Sequence, residues 1–230
     1  MSRLIIVSNR LPFSIDHYGD EIKLRQSSGG LVSAIKSYFE SDHSLKDIQE
    51  RLWVGVADFL QDDWDKLSVD RSAIDFEIRP LFVDKKTYEG YYNGFSNSVL
   101  WPLFHYFPTL AEFTASYYED YVQINKRFCK ALLSILRPGD IIWIHDYQLM
   151  LLPQMIRHQE PDAVIGFFLH IPFPSYEIYR LLPNEWKRSL LQGLIGADLI
   201  GFHTHDYVQH FIQSVRMILG ADTYFHTVQY

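Results

Sequence analysis

Cysteine is all but missing from this chain of 230 residues. Cys129 is the only one, so neither an internal disulfide nor a cysteine-rich metal site can form. With no sign of an oxidising compartment, the cytoplasm is the expected setting. Long apolar runs are missing too. No uncharged stretch reaches the roughly 18 residues that span a bilayer, and the four apolar residues at 4–7 are too few for a secretory signal. Positive charge is scarce: 21 Lys and Arg stand against 28 Asp and Glu, a net −7. An acidic chain without a basic cluster is a poor nucleic-acid binder, although a few groups can still hold an anion locally. Repeats, low-complexity tracts and Pro/Gly-rich linkers are also absent, so one domain is expected.

Aromatic residues are what the chain has in surplus, with 15 Tyr, 16 Phe and 5 Trp. They suit either a Phe-rich core or the walls of a sugar or nucleotide pocket. Short apolar runs recur at 4–7, 52–56, 76–83, 141–144, 164–169 and 199–202. Uniformly apolar runs of this length suit strands covered on both faces. Between them lie helical patterns. One is expected over 30–39 after Ser27-Ser28, and a long amphipathic one from Phe113 to Ile135, ended by Arg137-Pro138-Gly139. Others are expected over 147–156 with Asp146 as N-cap, over 185–195 and over 207–219. Strands alternating with helices predict an α/β fold, a doubly wound Rossmann-like parallel sheet with helices on both faces.

Ligands of such sheets sit at the carboxyl ends of the strands. The residues just past the runs are Ser8-Asn9-Arg10, His145-Asp146, His170 and His203-Thr204-His205. Arg10 can grip a phosphate bidentately or make a structural ion pair. Asp146 can accept hydrogen bonds from sugar hydroxyls, cap a helix, or both. His170, before Ile171-Pro172, can meet a hydroxyl or pin the turn. Gly29 and Gly30 open a helix whose free N–H groups attract anions, although neither a P-loop nor a G-x-G-x-x-G pattern is present. The histidines could also gather a metal, but no H-E-x-x-H helix supports that and no metal is expected.

Taken together the strings resemble the N-terminal half of the trehalose-6-phosphate synthases, retaining glycosyltransferases of the GT-B fold. The matching strings are Ser8-Asn9-Arg10-Leu11-Pro12, Ser28-Gly29-Gly30-Leu31, YYNGFSNSVLWPLFHY at 91–106, WIHDYQLMLLP at 143–153, GFFLHIPFP at 166–174 and GADLIGFHTHDY at 196–207. The resemblance implies transfer of glucose from UDP-glucose to glucose 6-phosphate, without a cofactor. It implies Arg10, Tyr92, Trp101 and Asp146 at the acceptor, Gly29, Gly30 and His170 at the donor, and His170 and Asp146 as the catalytic pair. It implies front-face transfer, in which the leaving phosphate oxygen takes the proton and no protein nucleophile is needed. A nucleotide-sugar-binding domain follows in that family, so residues 1–230 are expected to be an acceptor-side domain, inactive alone. A homo-oligomer is allowed; nucleic acid and membrane are not expected partners. A sister transferase with another acceptor, such as a glucosylglycerol-phosphate synthase or a pseudoglycosyltransferase, and a non-catalytic sugar-phosphate-binding module are the alternatives. A metal-dependent hydrolase is a distant third.

Overall fold

Strand β1 (Ser2–Arg10) divides its apolar side chains between two cores. Ile5 and Val7 face one; Leu4 and Ile6 face the other. A strand of this kind has to be covered on both sides. The computed structural model describes residues 2–18, 21–26, 48–67, 76–224 and 227–229. After β1 the chain makes an antiparallel hairpin of β2 (Phe13–Tyr18) and β3 (Glu21–Gln26), which the sequence reading does not anticipate. Next come β4 (Ile48–Val56), the short helix α1 (Gln61–Lys66) and β5 (Glu77–Leu81). The helix expected over 30–39 lies outside the described residues, as do Gly29 and Gly30.

From residue 85 to 104 the backbone is continuously helical. It runs as α2 (Lys85–Glu89), a π-helix (Gly90–Leu100) and α3 (Trp101–Phe104). Asp84 starts it, its carboxylate accepting from the Thr87 N–H at 2.9 Å. Within the π-helix, the Ser96 and Ser98 hydroxyls donate to the carbonyls five residues back, at 2.8 and 2.7 Å. Tyr91, Phe95, Val99, Leu103 and Phe104 are buried along it. Such wide turns are rare and concentrate at functional sites.

The long helix α4 (Ala115–Leu133) buries Tyr121, Ile124, Phe128 and Leu132, the spacing read from the sequence. It ends two residues before Ile135. The Ile135 and Leu136 N–H groups both bond the Leu132 carbonyl, closing the helix ahead of Arg137, which Pro138 keeps out of helical geometry. β6 (Ile141–His145), α5 (Leu152–Gln159), β7 (Val164–Phe168), α6 (Tyr176–Tyr179), α7 (Asn184–Ile195), β8 (Leu199–Gly201) and α8 (His205–Leu219) follow. A small hairpin, β9 (Asp222–Tyr224) and β10 (Thr227–Gln229), comes last. Residues 147–156 are not one helix. Asp146 has φ 77°, which sends the chain into a 3-10 turn (Tyr147–Leu149) before α5 begins.

Among the described residues β1 and β4 to β8 form one parallel sheet in the order β5-β4-β1-β6-β7-β8. The larger core lies under the π-helix, α4, α5 and α7. The smaller one joins Leu4, Ile6, Trp53 and Ile78 to the hairpin residues Phe13 and Leu24 and to Trp64 of α1. At the amino ends of the strands the buried Arg3 forks onto Asp140 (2.6 and 3.2 Å) and also donates to the Ile135 carbonyl. Among the described residues no helix is long and apolar enough to cross a membrane.

Candidate functional site

The chain fills the sheet outwards from β1 through β4 to β5, then returns and fills the other side through β6, β7 and β8. The reversal falls between β1 and β6, and at such a switch point the crossovers part and leave a crevice at the carboxyl ends. Arg10 ends β1. His145 and Asp146 close β6, His170 follows β7, and His203 follows β8. The polar strand ends expected from the sequence therefore line up along one rim.

Arg10 is exposed at the carboxyl end of β1. Its Cζ lies 5.0 Å over the Tyr92 ring, and its Nε donates to the Tyr88 hydroxyl at 3.2 Å. Tyr88 stacks on Tyr92 with centroids 5.5 Å apart and also accepts from Asn9 Nδ2 at 3.3 Å. Both terminal Nη groups of Arg10 are left without a hydrogen bond to a described residue. A guanidinium fork placed so can meet a phosphate bidentately. The backbone beneath is held by Ser8, whose hydroxyl donates to the Arg10 carbonyl (2.7 Å) and accepts from the Trp53 indole N–H (2.8 Å). The β1–β4 register shifts between Val7 and Arg10, and there Gly55 lies against the Arg10 backbone. A Cβ on Gly55 would stand 2.7 Å from the Arg10 carbonyl carbon and 2.8 Å from Leu11 N. Gly55→Ala is expected to displace both residues at a cost of about 1–3 kcal/mol, lowering Tm by about 2–4 °C per kcal/mol. Because Arg10 moves, the variant is also expected to bind inorganic phosphate more weakly. Thermal melts and a phosphate titration check both effects.

Asp146 has ψ 169° with its positive φ, a region almost reserved for glycine that costs about 1–3 kcal/mol. The surroundings hold it there. Its N–H donates to the Phe168 carbonyl at 2.8 Å, and its Oδ1 accepts from the Tyr147 and His170 N–H groups at 3.0 and 3.2 Å. The turn behind it is pinned from α4. The Tyr121 hydroxyl donates to the Tyr147 carbonyl and accepts from the Met150 N–H, while Asn125 donates to the Gln148 carbonyl. The Tyr147 hydroxyl donates to Asn97 at 2.9 Å, joining this turn to the π-helix. Oδ2 of Asp146 makes no hydrogen bond to a described residue. Burial pushes the carboxyl up to about 6, against the pull of its two N–H donors.

His145 and His170 touch, Nδ1 to Nε2, at 3.0 Å. Burial and the facing imidazole bring His145 down to about 3; burial and His203 bring His170 down to about 4. Both are neutral at ordinary pH. The His203 ring meets those of His170 and Phe168 edge-on, at 5.8 and 5.2 Å. His205 starts α8 and pairs with Gln209. Among the described residues no three His, Cys, Asp or Glu side chains gather as a metal's ligands would.

Trp101 stands apart. It is 43% exposed and stacks on His105 at 4.1 Å, and it makes no hydrogen bond or ring contact with Arg10, Tyr92 or Asp146. It shares with Tyr92 only the continuous helix of 85–104. Sequence reasoning missed Tyr88, Gly55 and the part His145 plays beside His170. Tyr88 and Tyr92, four apart, would have stood out had the segment been read as helical.

The model of glycosyltransferase family 20 matches residues 2–230. A UDP-forming alpha,alpha-trehalose-phosphate synthase of Yarrowia lipolytica is 44% identical over 230 residues, which is 97% of this chain and 47% of that protein. Among solved structures, the N-terminal domain of Candida albicans trehalose-6-phosphate phosphatase superposes with a TM-score of 0.80 at 30% identity, covering 99% of this chain and 46% of that one. A UDP-forming alpha,alpha-trehalose-phosphate synthase of Burkholderia xenovorans in complex with glucose-6-phosphate gives 0.74 at 29% identity, covering 96% and 45%. Across the first curated relatives that it matches, the chain spans 29% to 47% of their length.

Proposed function

The chain belongs to glycosyltransferase family 20, and from that premise we propose that it is the acceptor-side half of a trehalose-6-phosphate synthase, a retaining transferase that moves glucose from UDP-glucose to glucose 6-phosphate. The observation that carries this reading is the open Arg10 fork on one side of the switch point and the open Asp146 Oδ2 on the other. One offers an anion site and the other a hydroxyl acceptor, the two kinds of partner that a hexose phosphate calls for. Tyr92 floors the anion site; Trp101, which makes no hydrogen bond or ring contact with Arg10, Tyr92 or Asp146, is assigned to the sugar by the resemblance alone. His170, one strand further along, meets the donor glucose, and Gly29 and Gly30 meet the donor phosphates.

In this reading the anomeric hydroxyl oxygen of glucose 6-phosphate attacks C1 of the donor glucose from the face that UDP leaves. The C1–O bond to UDP breaks, and the leaving phosphate oxygen takes the hydroxyl proton. The products are trehalose 6-phosphate and UDP, with the configuration at C1 retained. Asp146 and His170 act by orienting the two sugars. The diphosphate needs more countercharge than Arg10 alone can supply. In this reading residues 1–230 hold glucose 6-phosphate through Arg10 and Asp146. The cytoplasm is its setting, in keeping with one buried, reduced thiol.

Calorimetry with glucose 6-phosphate, glucose and glycerol 3-phosphate tests the reading. Glucose 6-phosphate is expected to bind at least about tenfold more tightly than glucose, the value of one charge-assisted contact. Equal affinities would remove Arg10 from the acceptor site. Tighter binding of glycerol 3-phosphate would favour a sister transferase. A second reading, a sugar-phosphate-binding module without transfer, is favoured by the Candida albicans neighbour, which carries a phosphatase's name. A protein that joins this half to the remaining family length separates the two: the synthase releases UDP with both substrates present, and the module does not.

A further inference from the structure

We propose that His145 is a positioning residue that locks His170 in a single tautomer, with His170 Nε2 as an internal acceptor and its Nδ1–H left as a donor for a ligand. The proposal rests on the reading of His170 as a donor-sugar contact only for its purpose; the geometry stands without it. His145 is 1% exposed, at the end of β6. Its Nδ1 lies 3.0 Å from His170 Nε2, and its other ring nitrogen, Nε2, is buried with no hydrogen-bond partner.

One proton lies between the two rings, and either ring can own it. If His170 donates, neutral His145 must carry its proton on Nε2. That seals an N–H away from water with no acceptor, an arrangement native interiors nearly always avoid. If His145 donates from Nδ1, its Nε2 is a bare lone pair, the less costly orphan. His170 Nε2 then accepts, and its own proton must sit on Nδ1. The groups facing His170 are His145 from β6, the Asp146 carboxylate at its backbone N–H, His203 beyond β8 and the Phe168 ring. His170 Nδ1 has no hydrogen bond to a described residue. It therefore offers a donor to a sugar or phosphate oxygen and cannot serve there as a general base. That fits a transfer in which the leaving group takes the proton.

Long-range proton–nitrogen NMR on the histidine-labelled chain reads the tautomers directly. At neutral pH both His145 and His170 are expected to be protonated at Nδ1 and bare at Nε2. A His170 protonated at Nε2 in the unaltered chain overturns the proposal. His145→Phe fills the space without a donor and is expected to return His170 mainly to the Nε2–H form. His145→Asn, whose amide nitrogen stands near the place of Nδ1, is expected to keep it at Nδ1–H. A His170 tautomer indifferent to His145→Phe also overturns it. Adding UDP-glucose to the histidine-labelled protein that joins this half to the remaining family length tests the other reading separately. If His170 signals stay still while the tautomer is as expected, the donor-sugar assignment fails and the lock stands.

Discussion

Arg10→Ala is expected to lower affinity for glucose 6-phosphate by about a hundredfold while lowering Tm by only a few degrees. Two charge-assisted hydrogen bonds from the guanidinium fork contribute about 1.5–3 kcal/mol each, and about 2.7 kcal/mol is already a factor of a hundred. Little opposes the change in the folded protein. The side chain is exposed, with one hydrogen bond to Tyr88 and a stack over Tyr92, and an exposed stack of that kind contributes about 0.5–1 kcal/mol. Arg10→Lys keeps the charge but not the fork, so it recovers only part of the affinity. Plain glucose serves as the control, since it lacks the phosphate that the proposal assigns to Arg10 and should bind wild type and variant alike. A variant that melts much lower and binds glucose 6-phosphate as before would make Arg10 a structural residue.

What could be read from the sequence was whatever a residue's neighbours in the chain determine. The runs at 4–7 and 141–144 are apolar at every position because the sheet is covered on both faces, and both became adjacent central strands. The point where each run stops marks a strand end, so Arg10, Asp146 and His170 could be placed on one rim before the strand order was known. What depends on distant partners was not legible. The break after Asp146 follows from its positive φ, which Phe168, Tyr121 and Asn125 sustain from other elements. Gly90, Gly94 and Pro102 argue against a helix by propensity, yet packing on α4 carries one through all three. Tyr88 reaches Arg10 across 78 residues, and His145 reaches His170 across 25.

Asp146 provides the second large effect, and it separates binding from stability. Asp146→Asn keeps an Oδ1 for the Tyr147 and His170 N–H groups, so the turn survives. It loses the charge on Oδ2, and affinity for glucose 6-phosphate is expected to fall by about ten- to a hundredfold, the loss of one charge-assisted bond to a sugar hydroxyl. Stability moves the other way. The folded carboxyl, at about 6, lies above its ordinary 3.8, so the native state holds its proton to higher pH than the unfolded chain does. Its contribution is full below about pH 4 and is lost as pH rises through about 6. At pH 7 the wild type carries a buried charge that the asparagine variant lacks, so the variant is expected to melt no lower, and wild type should gain on it as pH falls from 7 to 4. His145 and His170 have the opposite sign, since both lie below the ordinary 6.5 and lose stability as pH falls; present in both proteins, they cancel in the difference. The same comparison isolates the binding titration. Wild-type affinity falls below about pH 6 as Asp146 takes up its proton, while the phosphate's own second ionisation near pH 6 acts on both proteins alike. A variant that melts several degrees lower at pH 7 and binds glucose 6-phosphate unchanged would mean that the strained carboxylate holds the turn and does not touch the sugar.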